Sequence, residues 1–239
     1  MRRCASAVEW EPRWLWKGRC KMTKIIDVKL AADMVRDGMT VMVGGFMSCG
    51  TPEILVDALV KKGVRDLTVI SNDTGTPGTG VAKLVESGAI RKLIATHIGL
   101  NPLTGRLMNE GKIEVTLVPQ GTLAEIIRAG GAGLGGVLTP TGLGTDIARD
   151  KQVISVDGKD FLLEKPLRAD VALLRGSIVD EDGNIFYKGT TRSFNPIMAT
   201  AADLVIVAAE EIVPVGRIPG ENIVTPGIFV DYIVGGEPA

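Results

Sequence analysis

From Asp27 onward the apolar and polar positions switch repeatedly between helical and strand spacing. Leu30, Ala31, Met34 and Val35 form an apolar face behind Asp27, a good N-cap residue, and Gly38 is a natural stop, so a helix is expected over Val28 to Arg36. The unbroken run Thr40-Val41-Met42-Val43 reads as a short strand buried on both faces. Thr51-Pro52-Glu53 reads as an N-cap with proline in the first turn, opening a helix to about Lys62 that Gly63 closes. The alternation continues with strands at Leu67 to Ser71, Leu93 to Thr96 and Val115 to Val118. Helices are expected at Val81 to Glu86, from Asn101-Pro102, and from the capping box Thr122-Leu123-Ala124-Glu125 to Ala129. Such alternation over ~100 residues predicts βαβ units with right-handed crossovers.

Past the glycine-rich stretch Gly130 to Gly144 the rhythm changes. Val153 to Val156 and Phe161 to Leu163 flank Asp157-Gly158, a hairpin signal, and Ala172 to Leu174 and Ile185 to Tyr187 flank another at Asp182-Gly183. A helix near Pro196 to Ala202 and a strand Leu204 to Ala208 lead back to the main sheet. The expected fold class is therefore α/β: an open, mostly parallel sheet flanked by helices, with a hairpin-rich mixed-sheet insertion in the second half.

Composition narrows the function classes. A formal net charge of −1 leaves no basic stripe for nucleic acid, and no apolar run approaches the roughly 20 residues of a membrane-spanning helix. The first 21 residues stand apart: they hold all three tryptophans, with six basic residues against two acids. They read as an N-terminal extension, disordered or non-native, with one domain over residues 22–239. Cys4, Cys20 and Cys49 have no metal-ligand spacing and His97 is the only histidine, so no metal site is expected; an odd cysteine count points to a reducing, cytoplasmic setting.

In open α/β sheets ligands bind beyond the carboxyl ends of the strands, where the loops starting at Gly44, Asn72, His97, Pro119 and Gly130 are expected to converge. The most informative is Gly44-Gly45-Phe46-Met47-Ser48-Cys49-Gly50, because consecutive glycines after a buried strand let main-chain amides approach a ligand and a helix N-terminus follows. A tight strand-to-helix connection that needs glycine for turn geometry alone explains the same letters. Gly131, Gly133 and Gly136 spell a dinucleotide fingerprint, but they follow a helix where that motif follows a strand.

These motifs carry a resemblance. Asp37-Gly38, Val41-Met42-Val43, Gly44-Gly45-Phe46 and Gly50-x-Pro52 resemble the signature of α subunits of family I (3-oxoacid type) CoA-transferases. Ile70-Ser71-Asn72-Asp73, Val118-Pro119-Gln120-Gly121-Thr122-Leu123, Gly130-Gly131-Ala132-Gly133, Leu138 to Gly142 and Arg168-Ala169-Asp170 are similar to the same family in the same order, the likeness being greatest to bacterial acetate/acetoacetate or butyrate-acetoacetate enzymes.

The resemblance implies a ping-pong exchange of coenzyme A between acyl-CoA and short-chain carboxylates such as acetate, acetoacetate and butyrate. The nucleophile is a glutamate on a separate β subunit, and the usual assembly is α2β2. It implies that Gly44 to Gly50 bind coenzyme A, which is a substrate rather than a permanently held cofactor. It also implies that Asn72 and Gln120 support the catalytic glutamate, and that Gly130, Gly131 and Gly133 shape a cleft loop. Glu221 and Glu237 lie outside the matching motifs and are not expected to be nucleophiles; Cys49 and His97 are expected to be incidental or structural. Two other readings remain open on the residues alone: a nucleotide-dependent α/β oxidoreductase and a non-catalytic phosphosugar-sensing domain.

Overall fold

The computed structural model describes residues 24–237. The expected extension over residues 1–21 lies outside the described residues. In chain order the elements are α1 (Val28–Asp33), β1 (Thr40–Val43), α2 (Glu53–Lys62), β2 (Leu67–Ser71), α3 (Val81–Glu86), β3 (Ile90–Ala95), α4 (Pro102–Asn109) and β4 (Glu114–Leu117). These are followed by α5 (Gln120–Ala132), β5 (Val137–Thr139), β6 (Val153–Val156), β7 (Lys159–Glu164), β8 (Ala169–Asp180), β9 (Ile185–Phe186), α6 (Asn195–Thr200), β10 (Ala202–Val213) and β11 (Tyr232–Gly235).

Seven strands run parallel in the order β11-β10-β8-β1-β2-β3-β4, and β9 pairs antiparallel with the far end of β8. The chain starts near the middle at β1, builds outward to β4, then returns to the other side of β1 as β8 and builds outward again. The order therefore reverses between β1 and β8, and the crevice beyond their carboxyl ends is the place such a sheet offers a ligand. Alternation along the strands feeds two cores. Val41 and Val43 of β1 point into a core shared with α1, α2 and α3, while Met42 points into one built with α5 and α6; all three are fully buried. Helices thus cover both faces, which is why the central strands read as unbroken apolar runs.

The second half differs in detail from the expected insertion. The Asp157-Gly158 hairpin forms, with φ of 49° and 76° at its two central residues, but it joins a separate three-stranded antiparallel sheet, β5-β7-β6. The Asp182-Gly183 turn also forms and joins β8 antiparallel to β9, but its first arm is the far end of the twelve-residue β8, whose Ala172 to Leu174 pair in parallel with β1 and β10.

The largest correction concerns Gly130, Gly131 and Gly133. Gly130 and Gly131 lie in the last turn of α5, and Gly133 is its left-handed C-cap with φ 71°. α5 starts at Gln120, two residues before the expected capping box. The helix keeps its glycines because neighbours press on them. A Cβ on Gly130 would sit 1.9 Å from the Leu167 carbonyl oxygen, and one on Gly131 2.0 Å from Thr200 Oγ1. Tertiary packing overrides a poor helix propensity.

Candidate functional site

β1 ends at the switch point, and the chain leaves it through Gly44, whose amide donates to the Leu173 carbonyl of β8 at 3.0 Å. A Cβ at Gly44 would lie 1.9 Å from Asn195 Oδ1, so no larger residue fits. Gly45 has φ 111° and its Cβ would lie 2.2 Å from Thr51 Oγ1. Gly44 is therefore required by the closeness of the Asn195 side chain, and Gly45 by the path of the backbone as well. Asn195, fully buried at the start of α6, fixes the far end of the loop: its side-chain nitrogen donates to the carbonyls of Gly50 at 2.9 Å and Thr191 at 2.8 Å, and its oxygen accepts the Arg175 amide at 3.1 Å.

Between these anchors Phe46 to Cys49 form a tight reversal. The Phe46 amide donates to the Cys49 carbonyl at 2.9 Å, and the Cys49 amide returns a bond to the Phe46 carbonyl at 2.8 Å. The two central residues, Met47 and Ser48, have φ of 47° and 65°. Positive φ at both positions is what a type I′ turn needs, and such turns favour Asn-Gly, not Met-Ser. Each non-glycine residue held there costs about 1–2 kcal/mol. The turn is held down from behind by Asp73, only 5% exposed, whose carboxylate accepts the Met47 amide at 2.8 Å, the Gly75 amide at 2.7 Å and Asn72 Nδ2 at 3.0 Å. A hydrogen bond to a charged group contributes about 1.5–3 kcal/mol, the same size as the strain it opposes. Ser48 Oγ to Thr79 Oγ1 at 2.8 Å and Cys49 Sγ to Thr190 Oγ1 at 2.9 Å steady the sides. Phe46 and Met47 stay 37% and 49% exposed, so the turn presents two large apolar side chains at the strand-end crevice.

The expected residues are thus only partly brought together. Gly44 to Gly50, Asn72 and His97 share one edge: Asp73 bridges His97 in parallel, and the Phe46 and His97 rings are tilted, with centroids 6.3 Å apart. Asn72 is fully buried, with its amide committed to Asp73, so it is enclosed in the loop and not presented at its surface. Gln120 is exposed, at the first residue of α5, on the loop after β4. The Gly130 to Gly133 segment does not join them. It ends α5 at the opposite, amino edge of the sheet, where Gly131 lines a groove of roughly 480 Å3 with Thr200 and Phe229. The cavity beside the glycine loop, between Gly44, Gly45, Thr51, Asp73 and Gly75, measures only roughly 10 Å3, room for about one water.

One partner escaped the sequence altogether. Thr51 makes no cap for α2; Pro52 occupies the cap position without a side-chain bond. The free amides of Glu53 and Ile54 donate instead to the two carboxylate oxygens of Glu237, at 2.9 and 3.0 Å. Glu237 comes from the segment after β11, and Arg175, which pairs with Glu210 at 2.8 Å, lies 3.8 Å from it. Burial pushes the Glu237 carboxyl above the usual range, with the two amides opposing that shift. The helix N-terminus expected to attract an anionic ligand is therefore already filled from within the chain. A residue 184 positions away leaves no local signal. Asp73, by contrast, directly follows Asn72 in the sequence.

Comparison with known proteins agrees with this arrangement. The family model described as coenzyme A transferase matches residues 26–236. The acetoacetyl-CoA:acetate/butyrate CoA transferase alpha subunit of Clostridium acetobutylicum is 55% identical over 91% of this chain and 99% of its own length. The acetate CoA-transferase subunit alpha of Escherichia coli K12 is 53% identical over 89% of this chain and 96% of its own. Among solved structures, glutaconate coenzyme A-transferase from Acidaminococcus fermentans superposes with a TM-score of 0.79 at 19% identity, over 90% of this chain and 76% of that one, which shows a shared fold. With the parallel sheet, the switch-point glycine loop and a family match running through nearly all the described residues, this chain belongs to the coenzyme A transferase family.

Proposed function

We propose that the chain is the α subunit of a cytoplasmic CoA-transferase that exchanges coenzyme A between acyl-CoA and short-chain carboxylates, acetate, acetoacetate and butyrate among them. The single observation that carries this is the likeness, above 50% and nearly end to end, to two proteins named as α subunits of enzymes acting on those substrates. The reading assigns the nucleophilic glutamate to a β subunit, in an α2β2 assembly. That glutamate attacks the acyl-CoA thioester and forms an acyl-glutamyl anhydride as CoA thiolate departs; the thiolate then attacks the glutamyl carbonyl, releasing the first carboxylate and leaving a glutamyl-CoA thioester, and the second carboxylate runs the two steps in reverse to leave as its own acyl-CoA with the glutamate restored. The amide-bound states of Glu237, behind α2, and of Asp73, beneath the glycine loop, support placing the nucleophile elsewhere, since both carboxylates already have structural tasks.

In this reading the Gly44 to Gly50 loop is a ledge for coenzyme A, with Phe46 and Met47 as its apolar surface. The cleft beside it is far too small for the pantetheine arm, so the substrate lies over the loop and under the partner subunit. Gln120 is the exposed amide available to the β-subunit glutamate. Purifying the chain alone and with its β partner, then assaying transfer from acetoacetyl-CoA to acetate, tests the division of labour. Activity is expected only from the complex; full activity from the isolated chain overturns it. The oxidoreductase and phosphosugar readings find no support in the family match.

A further inference from the structure

We infer that Asp73 is a positioning residue for CoA transfer: its carboxylate holds the Phe46–Cys49 turn in a left-handed form that the turn's own sequence disfavours, and so sets the Phe46–Met47 ledge for the substrate. The inference rests on the proposed CoA-transferase reading and adds to it a residue that does not touch the substrate. Three observations meet here. Met47 and Ser48 are consecutive non-glycine residues at positive φ, which left-handed backbone tolerates poorly without outside support. The support is visible: the Met47 amide, at the first strained position, donates to Asp73 Oδ2 at 2.8 Å. The carboxylate is itself over nine-tenths buried, and its named partners are neutral amides, from Met47, Gly75 and Asn72, so it joins the turn to the loop after β2 instead of neutralising a cation.

An amide in place of the carboxylate keeps the volume and loses this function, because Asp73→Asn turns one acceptor into a donor facing main-chain N–H groups. The turn is then free to relax, carrying Phe46 and Met47 away from their place. Glycine at Ser48 removes part of the conflict, since φ 65° is open to glycine at no steric cost. Rescue by a glycine one residue beyond the bonded amide is therefore the signature of positioning, and a carboxylate that touched substrate or merely braced the β2 loop would not give it.

The experiment uses the complex of this chain with its β subunit and reads kcat and KM for transfer from acetoacetyl-CoA to acetate. Wild-type complex without transfer activity sinks the functional reading itself and is scored first. Given an active wild type, Asp73→Asn is expected to lower kcat roughly ten- to a hundredfold with an intact assembly, and Asp73→Asn with Ser48→Gly to recover most of it. A near-normal kcat in Asp73→Asn, or a loss that Ser48→Gly leaves untouched, overturns the inference. Should Asp73→Asn fail to assemble, amide hydrogen exchange on the wild-type complex decides: protection at Met47 supports the staple, and exchange at the rate of an unbonded amide overturns it.

Discussion

The two glycine-rich segments of this chain look alike in sequence and behave as opposites. Gly45 and Gly50 stand at the carboxyl edge, where the backbone turns through φ of 111° and 78°, just after Gly44, which the Asn195 side chain keeps bare. Gly130 and Gly131 stand at the amino edge, inside a regular helix, where the missing Cβ admits Leu167 and Thr200. Gly45 and Gly50 are there for the path of the chain, Gly130 and Gly131 for the nearness of a neighbour. Glycine density alone therefore says nothing about ligands; the element that follows the glycines does.

Substitution separates the two sets. Gly130→Ala drives a Cβ into a backbone oxygen that has no rotamer to escape with, and is expected to cost roughly 3 kcal/mol in denaturant unfolding, while the assembled enzyme turns over near the wild-type rate. An unchanged midpoint would break the packing account. Gly45→Ala is expected to do the reverse. It should lower kcat about a hundredfold through the misplaced loop with a smaller loss of stability, and wild-type kinetics would remove the loop from the site. Gly133→Ala puts a Cβ on the left-handed backbone of the α5 cap and is expected to cost about 1 kcal/mol, readable as a small shift of the unfolding midpoint.

The smallest effect concerns Glu237, which holds the glycine loop's helix from behind. Its carboxyl is raised in the folded state, so the folded protein binds this proton more tightly than the unfolded chain does. As pH falls from neutrality through the raised value toward the ordinary carboxyl range, this group adds stability, the opposite of a salt-bridged acid. The melting-temperature advantage of wild type over Glu237→Gln is therefore expected to grow on acidification. A difference flat with pH would contradict it.

Much of the first half was legible because its signals are local. Val41 to Val43 announce a buried strand, Gly63 a helix end, and Asp27 caps α1 as its side chain suggests, accepting the Lys29 amide at 2.8 Å. What stayed hidden is non-local or runs against propensity. Nothing near Thr51 reports that Glu237 will cap α2. Nothing in Met47-Ser48 suggests a left-handed pair, because the support comes from Asp73, 26 positions away. Gly130 and Gly131 argue for a loop until Leu167 and Thr200 are seen against them. Asn195 likewise gives no hint, before folding, that it will join Gly50, Thr191 and Arg175. The site's address was readable; its bracing was not.

β11 has a consequence for protein engineering. The Ile26 amide donates to the Ile233 carbonyl at 2.9 Å and the Ile233 amide donates to Lys24 at 2.8 Å, so the first described residues are laced to the last strand. Glu237 follows that strand by two residues and grips α2. Opening the chain in the exposed Asp157-Gly158 hairpin, on the separate β5-β7-β6 sheet, would keep that lacing. An affinity tag placed directly after Glu237 would instead pull on the support behind the glycine ledge.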